Sequence, residues 1–366
     1  MKGRWIFLLG ASVLALGAAQ ASRVDLWQVH EPIAHANLAL FPVTAASVHS
    51  TKNYITLEEG LAAGSVKVTE LGPGLIRRRP GGRPIPDQAR VNQLALINDS
   101  DKALILLAGE VVTGGKQDRV ISKDRIVPPG ADPLPLDVFC VEPGRWHGAS
   151  LAFDGKSFMA APRVREKAVA AKNQQEVWDA TAAVREGVAG AVGASPSTGE
   201  LGRSTSYAQL EHSDTFKRRI DEASSALTRD YERALRGALR GKDVVGVVVA
   251  VNGEVIWADL FAEAALFEKY WPKLLRSYVV EALSVPVVEH ARAAREDAER
   301  FLREREGKQI IEVEPGEYRR VEVDHPRYAI VELASLIEKT EPLLHFSKLR
   351  KETRWPDPRS LHRPRR

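Results

Sequence analysis

Residues 109–146 read GEVVTGGKQDRVISKDRIVPPGADPLPLDVFCVEPGRW, and this stretch decides how the N-terminal half folds. Short apolar runs, among them Val120–Val127 and Leu134–Val141, are separated by turn signals at Gly114–Gly115 and Pro128–Gly130. Runs of this length between such turns are typical of β-strands. We therefore expect a β-sandwich or a small barrel within a β-rich domain over residues 35–160.

The first turn of this stretch gathers four polar side chains. Lys116, Gln117, Asp118 and Arg119 follow Gly115 and its preceding glycine, which permit backbone angles that other residues avoid. Such a turn could hold an anion with help from backbone N–H groups, or it could be a solvated turn whose charges contact only water. The extra glycine before Lys116, and Gln117 where a P-loop needs Ser or Thr, exclude nucleotide hydrolysis by that route.

The end of the stretch carries the sole cysteine and a second polar turn. Cys140 continues the alternation of an apolar strand, which predicts a small buried side chain rather than a nucleophile. Glu142, Arg145 and Trp146 surround a Pro-Gly turn. They could line a pocket, or they could form a local ion pair with the indole covering the core.

The motifs GEVVTGGKQDR, VPPG, CVEPGRW and the later QQEVW together resemble the ARG and rhodanese-phosphatase-superfamily-associated protein domain. The resemblance runs from about Asn37 to about Leu283, with an interruption near residues 185–207, and includes LFEKYWPKLLRSY. The family has no established activity, so the resemblance implies positions rather than a reaction. Those positions are Glu110, Lys116, Gln117, Arg119, Cys140, Glu142, Arg145, Trp146, Glu176 and Trp178. Asp118 departs from the family pattern, in which Asn is expected.

The C-terminal half is predicted to mix helices with short strands, so the fold class is α+β. We expect a helix over residues 161–186, a flexible Gly-, Ala- and Ser-rich linker over 187–206, and an α+β region over 207–345. Asn252–Gly253 predicts a tight hairpin, and Pro272 is expected to start a helix. Near the N-terminus, Thr56 and Glu59 have the spacing of a helix capping box.

Both ends of the chain carry distinctive composition. Residues 1–21 have a positive start, an apolar core and a small-residue site ending at Ala21, which predicts a cleaved signal peptide and a secreted or periplasmic protein; an uncleaved anchor is the alternative. The basic, proline-containing tail over residues 346–366 is expected to be disordered, with a charge that favours solubility or weak contact with anionic surfaces. Arg77–Arg90 is expected to be an exposed basic loop.

Several classes of function lack sequence support. Removing Lys2 and Arg4 with the leader lowers the formal charge from +4 to +2, so specific nucleic-acid binding is not expected. One cysteine excludes an internal disulfide, and the scattered histidines predict no metal site. No transmembrane span is expected in the mature chain. The pattern identifies no cofactor.

Three hypotheses for function remain. In the first, loops of the β-rich domain bind a small anionic ligand through Lys116, Gln117, Arg119, Arg145 and Trp146, with Cys140, Glu176 and Trp178 in support. In the second, the same pocket belongs to a hydrolase or transferase with Glu110 or Glu142 as general base and an arginine stabilising negative charge. In the third, these residues form a buried ion-pair network with a structural or interaction role. All three hypotheses predict that Glu110, Lys116, Arg119 and Glu142 lie near one another.

Overall fold

The computed structural model of the chain describes residues 26–70, 92–143, 152–193 and 205–351. Within these ranges the chain forms eighteen strands and seven α-helices. The strands are β1 (Trp27–Val29), β2 (Ile33–His35), β3 (Leu38–Ala45), β4 (Tyr54–Thr56), β5 (Val66–Glu70), β6 (Gln93–Asn98), β7 (Ala103–Leu106), β8 (Glu110–Gly114), β9 (Arg119–Ile121), β10 (Arg125–Val127), β11 (Leu134–Cys140), β12 (Phe153–Met159), β13 (Val244–Val251), β14 (Glu254–Phe261), β15 (Lys308–Glu314), β16 (Tyr318–Asp324), β17 (Tyr328–Ser335) and β18 (Leu343–Arg350). The helices are α1 (Leu57–Ala62), α2 (Pro162–Glu166), α3 (Gln174–Ala191), α4 (Gln209–His212), α5 (Asp214–Arg236), α6 (Ala264–Leu283) and α7 (Arg295–Arg303).

The N-terminal half contains a small barrel, which is one of the two β-architectures that the sequence predicted. Six strands pair in the order β12-β8-β9-β11-β6-β5, and an isolated bridge between Thr69 and Ala152 joins the two edge strands. Alternate residues of these strands form one apolar interior, to which a three-stranded sheet of β10, β7 and β4 contributes Leu104, Leu106 and Val127. Since side chains alternate along a strand, this interior follows directly from the sequence pattern.

A nine-stranded antiparallel sheet forms the second layer. Its strands pair in the order β1-β3-β13-β14-β18-β17-β16-β15, with β2 added on β3. Asn252 and Gly253 both have positive φ angles at the β13–β14 turn, which confirms the predicted hairpin. One face packs with α3, α5, α6 and part of the barrel in the largest apolar core, and the other face packs on α7.

The sheet crosses the domain boundary expected at residue 160. β3 pairs with β13, so residues 38–45 belong to the same sheet as the C-terminal strands. β18 continues to Arg350, five residues into the predicted tail, and α3 continues to Ala191. Several predicted segments lie outside the described residues. They are residues 194–204 of the expected linker, the tail from 352 onward, the basic loop Arg77–Arg90 and the predicted leader.

The helix expected over residues 161–186 is divided in two. α2 runs into a π-helical turn, Lys167–Ala171, and Lys172 then takes a left-handed conformation with φ of 52°. Asn173 caps α3 by accepting hydrogen bonds from the backbone N–H groups of Gln175 and Glu176. The break points the first turn of α3 at the end of β11, where the motif residues lie.

Candidate functional site at the barrel mouth

The polar motifs meet at one end of the barrel, and we call this end the barrel mouth. It consists of Glu70, the turn Gly114–Asp118, Arg119, Cys140–Glu142 and Phe153. The sequence explains why these residues converge. Glu70 follows Val66 and Val68 by strand alternation, and Arg119 and Cys140 likewise share a face with interior residues. The apolar interior of the barrel therefore becomes polar at its mouth.

The glycine turn lies directly on Glu70. Glu70 is fully buried, and its Oε1 accepts the backbone N–H of Lys116 at 2.9 Å. Gly115 has φ of +54°, and a Cβ built there would lie 2.6 Å from the Phe153 ring and 3.0 Å from Glu70 Oε1. Only glycine satisfies both the backbone angle and the close approach.

Asp118 holds the turn from the opposite side. Its Oδ1 accepts the N–H of Gly114 at 3.1 Å, and its Oδ2 accepts the hydroxyl of Ser206 at 2.8 Å. The Asp118 carboxylate, at the position where the resemblance leads us to expect Asn, therefore acts as an acceptor with both oxygens. The side chain of Thr205 contacts the carbonyl of Pro143 nearby, so the chain leading into α4 closes against the same end of the barrel.

Arg119 and Cys140 are opposite each other on β9 and β11, and both are fully buried. The thiol donates to the carbonyl oxygen of Glu142 at 3.2 Å. Burial raises the pKa of the Cys140 thiol, and the backbone N–H of Glu142 and the Arg119 guanidinium offset only part of that effect. A buried thiol with a raised pKa fits the small buried side chain predicted from the alternation, because reactivity requires the thiolate.

Two acceptors at the barrel mouth lack partners among the described residues. Glu70 Oε2 and Gln117 Oε1 are buried without a hydrogen bond. The amide nitrogen of Gln117 is used, because it donates to the carbonyl of Glu142 at 3.2 Å. Buried polar atoms are nearly always paired in folded proteins, so an unpaired carboxylate oxygen requires an explanation.

Helix α3 is anchored to the barrel mouth by its first turn. Gln174 accepts the N–H of Cys140 at 2.9 Å and donates to its carbonyl at 2.8 Å. Glu176 instead faces Lys167 at 3.2 Å with its side chain 45% exposed, and Trp178 is half-buried. The resemblance assigned two residues of this helix to the site, and of these Trp178 lies closer to the barrel mouth than Glu176.

Glu110 lies at the opposite end of β8 from the glycine turn. Its Oε1 pairs with Lys273 of α6 at 2.5 Å, and its Oε2 accepts the N–H of Leu107 at 2.8 Å. Both carboxylate oxygens are thus occupied, one by α6 and the other by the backbone that leads into β8. The structure brings Lys116, Gln117, Arg119, Cys140 and Glu142 together and does not bring Glu110 to them; Arg145 and Trp146 lie outside the described residues.

A second cluster of buried charges, the central network, joins the barrel to the large sheet. It consists of Asp124, Arg165, Asp259, Tyr278 and His345. His345 bonds Asp124 at 2.7 Å and Asp259 at 3.2 Å, and Arg165 forms two hydrogen bonds of 2.8 and 3.0 Å to Asp259. Tyr278 donates to Asp259 at 2.5 Å, and the Arg165 guanidinium lies 4.2 Å from the centre of the Trp257 ring.

The charges of the central network compensate one another. Burial alone would lower the pKa of His345, but Asp124 and Asp259 raise it to about 9. Burial would raise the pKa of Asp259, but Arg165 and His345 hold it far below its usual range. Two carboxylates therefore face an imidazolium and a guanidinium, and the network is neutral at pH 7. Sequence reasoning missed it, because its members come from five separate elements.

The described residues offer no group of three His, Cys, Asp or Glu side chains placed to hold a metal ion. Across the same ranges, no helix is both long and apolar enough to span a bilayer.

The part of the site that sequence reasoning missed is Glu70. Its alternation with Val66 and Val68 was the available signal, since an acid at the end of an apolar strand face is unusual.

These features define an α+β protein in which a small barrel with a polar mouth packs on a nine-stranded sheet. The family model of the ARG and Rhodanese-Phosphatase-superfamily-associated Protein domain matches residues 27–348. The chain belongs to this family, as the motifs predicted. Comparisons with curated proteins and with solved structures found no match to the chain.

Proposed function

We propose that the protein binds a small ligand at the barrel mouth, and that the ligand carries both an anionic group and a hydrogen-bond donor. This proposal rests on Oε2 of fully buried Glu70, which has no hydrogen-bond partner in the part of the chain that the structure describes. A buried carboxylate oxygen without a partner costs on the order of 1–3 kcal/mol or more, and a ligand N–H or ammonium group would remove that cost. Gln117 Oε1 offers a second acceptor for the same donor.

The cationic side chains supply the other half of the recognition. Lys116 is half-buried on the turn above Glu70, and Arg119 is buried below it. Their charges would favour an anionic group. Because acids and cations are interspersed at the barrel mouth, a zwitterion of amino-acid type fits better than a simple anion. Because Glu70 and Arg119 are fully buried, a ligand that reaches them would be enclosed rather than surface-bound.

The test is a thermal-shift comparison with three matched sets of compounds: amino acids, the corresponding carboxylates without the amine, and the corresponding amines without the carboxylate. Zwitterions should raise the melting temperature most, since a ligand at a hundredfold excess over its Kd adds about 3 kcal/mol to the free energy of unfolding. Glu70→Gln should remove the preference for an amine, and Lys116→Ala should remove the preference for a carboxylate.

Two outcomes would reject the proposal. One is the absence of any shift in the parent with all three sets. The other is a shift that Glu70→Gln leaves unchanged, because the ligand would then bind elsewhere. Calorimetric titration of each hit against the two variants separates a loss of affinity from a loss of stability.

The predicted export belongs to the same proposal. A ligand-binding protein carrying the leader over residues 1–21 would act outside the cytoplasm. Mass spectrometry of the protein purified from a bacterial expression host tests this directly. An N-terminus at Ser22 supports cleavage and export, and an intact Met1 in the membrane fraction supports the uncleaved anchor instead.

A further inference from the structure

Strand β15 forms an open edge of the nine-stranded sheet. It pairs with β16 along its whole length, from Lys308 opposite Asp324 to Glu314 opposite Tyr318. No other strand within the described residues pairs with its outer side. Its outward N–H and C=O groups can therefore accept another strand.

The usual protections of an edge are weak on β15. The strand contains no proline and its register shows no bulge, whereas β1, at the other edge, is only three residues long. Ile310, Ile311 and Val313 are 47%, 47% and 50% exposed. Ile311 lies opposite Val321, which is buried in the core under α7, so Ile311 extends that apolar face beyond the helix.

We propose that β15 pairs with β15 of a second copy of the chain, antiparallel about a two-fold axis at Ile311. In this register Lys308 faces Glu314 of the second copy at both ends of the ladder, and Ile311 faces its own counterpart. The remaining pairs are Gln309 with Val313 and Ile310 with Glu312, so no like charges face each other. Opposite charges across a strand pair stabilise it and like charges destabilise it.

Neighbouring registers are less favourable. Because opposite residues of an antiparallel pair must point to the same face, the axis has to pass through a residue. An axis at Glu312 would place two carboxylates against each other, and an axis at Ile310 would leave Val313 and Glu314 facing residues that precede the strand. Only the axis at Ile311 pairs all seven residues.

The resulting assembly joins two nine-stranded sheets into one continuous sheet. Two seven-residue strands bury a small interface, so the dimer should be reversible and should depend on protein concentration. The edge is distant from the barrel mouth: β15 meets the barrel through an ion pair of Glu312 with Lys123, which follows β9 at the end away from Arg119.

Sedimentation velocity of the full chain over a wide concentration range tests this pairing. The parent should show a monomer–dimer equilibrium, and Ile311→Lys should weaken the dimer at least about tenfold by placing two ammonium groups on the axis. Lys308→Glu should also weaken it, and Lys308→Glu combined with Glu314→Lys should restore it. Ile337→Lys changes an equally exposed isoleucine outside β15 (44%) and should leave the dimer unaffected.

Thermal unfolding of each variant confirms that the monomer still folds, which is expected because the substituted side chains are exposed. A parent that stays monomeric at every concentration overturns the proposal. So does a dimer that Ile311→Lys leaves intact, or a charge reversal that the double substitution fails to rescue.

Discussion

The central network and the barrel mouth are both clusters of buried charge, yet they differ in how completely their carboxylates are bonded. Every carboxylate oxygen of Asp124 and Asp259 accepts at least one hydrogen bond. At the barrel mouth, Glu70 is equally buried but one of its oxygens has no partner within the described ranges. Burial of charge therefore does not identify a site by itself. The unpaired carboxylate oxygen at the barrel mouth is the difference on which the proposed binding function rests.

The largest effect is expected from Asp259→Asn in the central network. The substitution keeps the shape of the side chain but leaves Arg165 and His345 opposed by Asp124 alone, which buries a net positive charge. Breaking a buried ion pair in this way typically costs about 3–5 kcal/mol. Urea-induced unfolding of parent and variant measures the difference. A change below about 1 kcal/mol would show that the network contributes little to stability.

The pH dependence of stability should report His345 separately. Its pKa is about 9 in the folded protein and 6.5 in the unfolded chain, so its contribution is fully present below pH 6.5 and is lost as the pH rises through 9. The difference amounts to about 3 kcal/mol. The measurement is the free energy of unfolding of parent and His345→Gln from pH 6 to 10.

The parent has to be compared with His345→Gln because Lys348 changes the free energy of unfolding with pH in the opposite direction. Burial lowers the pKa of Lys348 to about 7, so its unfavourable burial is relieved as the pH rises towards the ordinary lysine value. Both proteins contain Lys348, so its effect cancels in the difference. A difference between parent and His345→Gln that does not change with pH would contradict the charged imidazolium.

The sequence predicted the local parts of this structure correctly. Asn252–Gly253 forms its hairpin, and Thr56 and Glu59 form the capping box at α1. Cys140 is buried on the interior side, as alternation required. Each of these features depends on residues that are close in sequence, where backbone geometry alone decides the outcome.

The features that sequence reasoning missed depend on distant residues. Asp124 and His345 are 221 positions apart and meet only because β18 pairs with β14 next to the barrel. Pro272 does not start α6; it lies inside Ala264–Leu283, where it removes one backbone hydrogen bond from a helix that packs on β13 and β12. The same limit applies to Glu70 at the barrel mouth, whose partner turn is 46 residues away.

A smaller effect tests the contact between the glycine turn and Glu70. Gly64 and Gly115 both have positive φ, but a Cβ at Gly64 meets nothing within 4 Å, whereas one at Gly115 meets Phe153 and Glu70. Gly64→Ala should cost about 1 kcal/mol from the backbone angle alone, and Gly115→Ala about 1–2 kcal/mol more from the collision. Chemical denaturation of the two variants measures this difference. Equal costs would mean that the turn does not lie on the Glu70 side chain.

The smallest change in stability is expected from Glu70→Gln, the counterpart of Asp259→Asn. Both substitutions replace a fully buried carboxylate with an amide of the same shape, so their difference isolates the bonding of the carboxylate. The amide oxygen can keep the bond from the Lys116 N–H, and the variant removes a charge that is only partly satisfied. We expect the free energy of unfolding to change by less than about 1 kcal/mol, or to rise slightly. A loss as large as that of Asp259→Asn would place Glu70 in a structural ion-pair network, and the proposed binding function would lose the observation on which it rests.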